Sequence, residues 1–212
     1  MWIFFAHFPF HLLRFAAKRS SNYFSKFGMQ TTLSHIVLAG TGIYCLVQIK
    51  GSQLHLPHFT FGIITINSLI GVWRWGNPDY GEKADGLYKF TSYLQLLFAV
   101  PCITTTIWLG NGYDRYLSWA WTILPMIPLV CYLADASTDD KLEEAVIPLN
   151  LIALGVVSFL AENYYGIATA ISYAIDHYLV LKQGQQYDIP AQDLYNYGLC
   201  FFAFFALRAI GY

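Results

Sequence analysis

Seven runs of apolar residues, separated by short polar breaks, constrain the fold of this chain more than any other feature. All but one of them are 17 to 20 residues long, and the exception, at residues 167–181, has 15. As helices the longer ones would each span about 25–30 Å, enough to cross a bilayer. The sequence therefore predicts an all-α, polytopic transmembrane helical bundle with about seven membrane segments, at residues 33–49, 59–75, 90–109, 117–134, 145–161, 167–181 and 194–210.

Composition supports the same class. Hydrophobic residues make up 56% of the 212 residues and charged residues only 12%, whereas a soluble domain carries about 25% charged residues. Tyr and Trp cluster near the ends of the runs, as in the aromatic belts of membrane proteins. The formal net charge of −1 excludes the strongly basic surface that a nucleic-acid-binding protein needs.

The sixth run, residues 167–181, is the least typical of a spanning helix. It is short and contains two titratable side chains, Asp176 and His177. A re-entrant or interfacial helix is the rival interpretation of this run, because ionisable groups are costly at the bilayer centre.

The distribution of Lys and Arg predicts an orientation. With seven spans, nine of these residues fall on the side of the N-terminus and three on the opposite side. Because cytosolic loops are enriched in Lys and Arg, we expect a cytosolic N-terminus and a C-terminus on the far side. If residues 167–181 do not cross, the C-terminus returns to the cytosol.

Residues 1–28 form a separate segment ahead of the single transmembrane domain at 29–212. The segment is rich in Phe and Trp, and its basic residues follow the aromatic ones, which is the reverse of a secretory signal. We expect an uncleaved amphipathic helix at the membrane surface, with Arg14, Lys18, Arg19 and Lys26 contacting lipid headgroups. The absence of acidic residues from 1–78 also fits a mitochondrial presequence, and Met29 is an alternative start. We expect the endoplasmic reticulum membrane, with the mitochondrial inner membrane as the alternative.

Two groups of polar residues inside the runs are candidates for chemistry. Asp176 and His177 could serve as acid and base or as part of a proton path, with Ser172 one helical turn before Asp176. Asn67 lies at the centre of the second run, near Ser68, where an amide must find a hydrogen-bonding partner. The competing interpretation is that Asp176 and His177 are an interfacial or pore-lining pair that only fixes a short helix in place. For Asn67 and Ser68 it is that they join helices to one another.

Sequence patterns predict neither a metal site nor a cofactor. Carboxylates cluster between residues 135 and 144, but without the spacing of a calcium-binding loop, so they are expected to cap a helix. His55 and His58 have no further ligand placed for them. The four cysteines lie in separate apolar runs and are predicted to be reduced.

Part of the chain resembles the lysoplasmalogenase-type family of multi-span membrane proteins. Ser68-Leu69-Ile70-Gly71 matches the start of its S-x-x-G-D motif, with Val72 at the place of the aspartate. Ser172 and Asp176 supply the residue types of its late S-D motif at a different spacing, and Pro190 and a final apolar run follow. The resemblance covers about a third of the chain and implies a related fold. The valine implies that the hydrolytic chemistry is missing.

The sequence leaves two functions in competition. The first is a non-enzymatic accessory or scaffold subunit of a larger membrane assembly, for which we expect lipid and other membrane subunits as partners and a role connected with lipid. The second is a membrane-embedded, lipid-modifying hydrolase of the lysolipid type that uses Asp176, His177 and Asn67. A small transporter is a third interpretation, which the scarcity of polar residues in the runs disfavours.

Overall fold

The structure is a computed structural model that describes residues 21–49, 55–77, 81–134, 140–180 and 190–212. For residues 21–27 and 140–144 it describes the backbone alone. Residues 1–20 of the predicted surface segment, with Arg14, Lys18 and Arg19, lie outside the described residues, as does the side chain of Lys26. The predicted boundary at residue 28 does not separate two elements, because residues 21–28 belong to the helix Ser21–Gln48 that continues into the first apolar run. The start of the acidic stretch, at 135–139, lies outside them too.

Every regular element in the described part of the chain is helical, which confirms the predicted all-α class. A 3₁₀ turn at Gly81–Ala84 leads into the helix Asp85–Gly110, and a π-helical turn at Ile175–Val180 continues the helix Tyr164–Ala174. The α-helices are α1 (Ser21–Gln48), α2 (Leu56–Gly76), α3 (Asp85–Gly110), α4 (Arg115–Ile123), α5 (Met126–Leu133), α6 (Asp140–Leu160), α7 (Tyr164–Ala174) and α8 (Ala191–Ala209).

The polar breaks of the sequence supply the helix boundaries. Pro57 occupies the first turn of α2, where a missing N–H costs nothing. The Asp114 carboxylate accepts the backbone N–H of Leu117 at 2.9 Å and so caps α4. Asn163 caps α7 in the same way, through the N–H of Gly166. Leu124 and Pro125 separate α4 from α5, so the fourth apolar run forms two short helices in sequence.

Six helices form a closed ring. Helices α1, α2, α3, α6, α7 and α8 each pack against the next in this order, and α8 packs back against α1. One contiguous core joins them, with side chains from every member of the ring: Leu38, Phe61, Ile103, Leu154, Tyr173 and Phe202. Helices α4 and α5 lie outside the ring. Helix α4 packs along α3, and α5 contacts α3 through the ring of Tyr132, which lies against Phe90 and Tyr93.

Three helical segments in the described part are long and apolar enough to cross a membrane: Leu56–Gly76, Gly81–Gly110 and Arg115–Leu133. Helix α6 contributes a shorter apolar helix, Ala145–Leu160. The membrane class predicted from sequence is therefore supported, while the number of seven crossings stays a prediction.

The ring is apolar outside as well as inside. The outer face of α1 carries exposed Leu33, Ile36, Ile43 and Val47, which recur at helical spacing along its length. Comparable stripes run along α6 (Leu149, Ile152, Val156 and Phe159) and along α7 with its π-helical turn (Ile171, Ile175 and Leu179). Many of the buried residues, in contrast, are polar, which is the arrangement that lipid rather than water favours.

Candidate functional site

Asn67 is the centre of a hydrogen-bond network between α2 and α3. Its side-chain Nδ2 donates to Oε1 of Gln95 at 3.1 Å. Its Oδ1 accepts from the hydroxyls of Thr91 at 2.8 Å and Ser92 at 3.0 Å. Both the nitrogen and the oxygen of this buried amide thus have hydrogen-bond partners, as a buried polar group requires. Asn67 therefore has a structural role in this arrangement, in agreement with the helix-joining interpretation.

Two buried tyrosines, on α8 and α7, lie next to this network. The side chain of Gln95 on α3 also adjoins the hydroxyl of Tyr195 on α8. Tyr195 in turn lies beside Tyr173 on α7, which is completely buried. The side chains of Asn67, Gln95, Tyr195 and Tyr173 thus form a path of neighbouring polar groups, in which the Tyr173 hydroxyl has no hydrogen-bond partner among the described residues.

Asp176 lies at the end of this path. Its side chain is 1% exposed, in the π-helical turn, within electrostatic range of Tyr173 and Tyr195. Neither carboxyl oxygen has a hydrogen-bond partner in the described part of the chain. The carboxyl group occupies the space beside the α-carbon of Gly198 on α8, where any side chain at position 198 would overlap it. A glycine is thus required where the π-helical turn meets α8.

His177 points away from Asp176. Its ring stacks on Tyr173 with a centroid separation of 6.1 Å and an interplanar angle of 9°, and it meets Tyr178 edge-on at 4.8 Å. The hydroxyl of Ser172 donates to the carbonyl oxygen of Thr169. The predicted Asp176–His177 pair therefore does not form a hydrogen-bonded acid–base couple, because neighbouring residues of a helix project in different directions.

A second group of polar side chains joins α1, α2 and α3. The hydroxyl of Tyr88 is 3.3 Å from Nε2 of the fully buried His35, whose ring lies against Gly71. The guanidinium of Arg74 lies 4.8 Å from the centre of the Tyr88 ring and forms an ion pair with Asp85. The end of α2 and the start of α3 are thereby held together by charge and by cation–π contact.

A third group closes the ring between α1 and α8. The Ser34 hydroxyl donates to Oδ1 of Asp193 at 3.1 Å and accepts from Nδ2 of Asn196 at 2.9 Å. Gln192 donates to the side-chain oxygen of Asn196. Unlike Asp176, Asp193 therefore has a hydrogen-bond donor beside it. Because Ser34 precedes His35, the second and third groups adjoin one another on α1.

The three groups together form one polar interior, which we call the buried polar cluster: Ser34, His35, Asn67, Arg74, Asp85, Tyr88, Thr91, Ser92, Gln95, Tyr173, Asp176, Asp193, Tyr195 and Asn196. The sequence singled out Asn67 and Asp176 from this set. It missed His35 and Gln95, although each is a polar residue inside an apolar run and carried the same signal. Asp193 and Asn196 gave a weaker signal because they lie at the start of the last run.

The remaining candidate residues, the two histidines and the cysteines, are not part of a comparable polar cluster in the described residues. The rings of His55 and His58 are 6.0 Å apart. Within the ranges that the structure describes, no three His, Cys, Asp or Glu residues lie close enough together to hold a metal ion. The thiols of Cys45, Cys102, Cys131 and Cys200 are free.

The fold and the cluster define a helical membrane protein whose polar side chains are directed inward, between its helices. Comparisons of the chain with protein-family models, with curated proteins and with solved structures gave no match.

Proposed function

We propose that the protein is a seven-span, non-enzymatic accessory subunit of a larger membrane assembly that handles lipid, in the endoplasmic reticulum membrane. The apolar stripes on the outside of α1, α6 and α7 support three of the four crossings beyond the three long apolar segments, since exposed apolar faces of this extent belong in lipid or against a partner. The helical segment Tyr164–Val180, counted through the π-helical turn, is about 25 Å long and suits a thinner bilayer.

The observation that carries the accessory role is the peripheral position of α4 and α5. In the most apolar stretch of Arg115–Leu133 only 17% of the residues are buried, against 72% for Gly81–Gly110. Thr105 of α3 bonds to the Ser118 carbonyl oxygen and to Thr122, so the pair is attached along one side. The other sides present large apolar residues, among them Ile123, Val130 and Leu133. We propose that another membrane protein packs there.

The geometry of the catalytic candidates supports the same conclusion. Asn67 is saturated by hydrogen bonds within the protein, and Asp176 and His177 diverge. A hydrolase needs a base within hydrogen-bond reach of an attacking water, and no two of these three groups meet around such a position. The role connected with lipid is supported by the charge of the basic N-terminal residues, which suits anionic headgroups: Arg14, Lys18, Arg19 and Lys26.

Photocrosslinking in native membranes tests the proposal. A photoreactive amino acid replaces Val130 on α5 in a tagged full-length chain, and a matched one replaces Ile152 on α6. The two positions are similarly exposed, at 58% and 64%, and both are apolar. We expect a discrete protein adduct from position 130, and lipid adducts alone from position 152. Lipid adducts alone from both positions, with a purified protein free of stoichiometric partners, would contradict the accessory role.

A second candidate function, hydrolysis of a lysolipid, is favoured by one observation, the buried and unpartnered carboxyl of Asp176. Burial of this kind is common in groups that do chemistry. The two functions separate in a single assay on the purified chain. Turnover of a lysolipid by the protein alone, lost in Asp176→Asn at unchanged abundance, would establish the hydrolase.

A further inference from the structure

The carboxyl group of Asp176 lies in a closed site. Both of its oxygens are inaccessible to a water molecule, and neither has a hydrogen-bond donor among the described residues. One side of the site is the backbone of α8 at Gly198. A charged carboxylate in such a position would lack hydration and would have no counter-ion among the described residues, at a cost of several kcal/mol. The negative charge of the carboxylate must therefore be neutralised by a species small enough to need no additional volume in the site.

Among the described residues, no cationic group forms an ion pair with Asp176. The titratable groups around it are Tyr173, His177 and Tyr178 on its own element, and Tyr195 and Cys200 on α8. Helix α3 contributes the neutral Gln95 beside Tyr195. The two ion pairs in the described part of the chain both involve Asp85. His177 directs its ring against Tyr173 and Tyr178 instead of the carboxyl.

A metal ion does not suit this site. Divalent cations take about six or more oxygen ligands, and the described surroundings of Asp176 offer the two tyrosine hydroxyls besides the carboxyl itself. A proton needs one oxygen and no additional volume. Its presence makes the carboxyl neutral, and an uncharged acid packs against Gly198 at a far smaller cost than a carboxylate.

The backbone around Asp176 is suited to movement. Residues Ile175–Val180 form a π-helical turn at the end of α7, and such turns occur often at functional positions in helices. Because both carboxyl oxygens are inaccessible to water while the carboxyl lies against Gly198, we expect loss of the proton to require the turn and α8 to separate. Protonation and packing are therefore coupled.

We propose that Asp176 is a proton-binding site that controls the contact between the π-helical turn and α8. With the proton bound, the turn is packed on Gly198 and the site is closed. With the proton released, the carboxylate must reach water or a cation, so the turn moves away from α8. The proposal is independent of the accessory role, since it concerns the interior of the ring and not its outer surface.

Infrared spectroscopy of the full chain in phosphatidylcholine vesicles tests protonation directly. A protonated carboxyl has a C=O band that a carboxylate lacks, and ¹³C-labelled aspartate assigns that band to Asp. We expect the band at about pH 6–7, well above the usual range for Asp at about 4. It should be lost as the pH rises and be missing from Asp176→Asn. The matched control Asp193→Asn, which removes a carboxyl that has a hydrogen-bond donor, should retain it.

Thiol reactivity tests the movement. Cys200 lies on α8 next to the site, and Cys131 on α5 lies outside the ring. Both are half-buried, so a small uncharged thiol reagent should modify them in a ratio that cancels the general effect of pH. We expect the ratio of Cys200 to Cys131 modification to rise severalfold as the band disappears. In Asp176→Asn, which keeps the neutral form, the ratio should not change with pH.

A wild-type protein without the labelled band at about pH 6 would overturn the proton site, and a constant thiol ratio would overturn the coupled movement. If Asp176→Asn does not fold, Gly198→Ala provides the second variant. The added methyl group displaces the carboxyl, so the band should disappear at a lower pH than in the wild type. An unchanged band in a folded Gly198→Ala protein would contradict the site.

Discussion

Polar residues in the interior of this protein join its helices through hydrogen bonds. Asn67 bonds α2 to α3, and Ser34 bonds α1 to α8. In a bilayer, apolar side chains gain little by leaving lipid for the protein interior, so hydrogen bonds and close packing carry more of the association. Residue-level predictions for this chain therefore concern buried amides, carboxyls and the glycines beside them.

Gly198→Ala should destabilise the protein. The new Cβ would overlap the carboxyl of Asp176, and overpacking of this kind typically costs about 1–3 kcal/mol. Thermal unfolding in detergent micelles measures the effect. The matched control is Gly155→Ala in α6, where nothing lies within 4 Å of the new methyl group. That change should leave stability equal or raise it by up to about 1 kcal/mol, because alanine favours helices. Equal effects at the two positions would contradict the close approach at Gly198.

Asn67→Leu should lower stability by about 1–3 kcal/mol, because it leaves buried Gln95 without its donor and removes the acceptor of Thr91 and Ser92. Ser92→Ala is the milder control, since Thr91 still donates to Asn67, and it should cost about 1 kcal/mol or less. Chemical or thermal unfolding of both variants decides the point. A neutral Asn67→Leu variant would show that the hydrogen bonds of this amide contribute nothing.

At the scale of elements, the apolar runs predicted where helices lie but not where they end. The run at 90–109 became α3, Asp85–Gly110, because the charged first turn with Asp85 and Lys89 is held by the ion pair to Arg74. The run at 117–134 became two helices around Leu124 and Pro125. Periodicity could not predict these ends, since helix caps and tertiary ion pairs decide them rather than hydropathy.

Asn163 should be more important than an ordinary helix cap. Its Oδ1 accepts from Gly166 at the start of α7, and its Nδ2 donates to the carbonyl oxygen of Ala209 at 2.7 Å, near the end of α8. Asn163→Ala removes the cap and the contact between helices, at about 2 kcal/mol in all. Asp114→Ala removes only the cap of α4 and should cost about 1 kcal/mol. The difference in unfolding temperature measures the second contribution, and equal losses would contradict it.

At the scale of the whole molecule, the sequence predicted the helical membrane class but not the ring. Nothing in seven apolar runs tells which helices are neighbours, and α4 and α5 were indistinguishable from the helices that enclose the core. The candidate site was predictable in part. Asn67 and Asp176 can be recognised in the sequence because they are polar residues inside apolar runs. That Gln95 and Tyr195 lie between them depends on the tertiary arrangement, which the sequence pattern does not show.

Seven crossings with a cytosolic N-terminus can be mapped with glycosylation acceptor sites. An acceptor on a short flexible insertion between Asn111 and Gly112, or after Tyr212, should be glycosylated, because both points would face the lumen. The same insertion between residues 135 and 139 should stay unmodified. An unmodified C-terminal acceptor, with the one after Asn111 modified, would indicate that Tyr164–Val180 does not cross.

The closure of the ring by α8 has a consequence for biosynthesis. The donors and acceptors that Ser34 meets, Asp193 and Asn196, are 159 and 162 residues later in the chain. Until the ribosome has delivered α8, Ser34 of α1 lacks its partners Asp193 and Asn196 in the bilayer. The helical ring of the nascent chain therefore stays open until the last helix has been synthesised. Truncation before Ala191 should leave an orphan that cellular quality control removes, even though all the earlier apolar segments are intact.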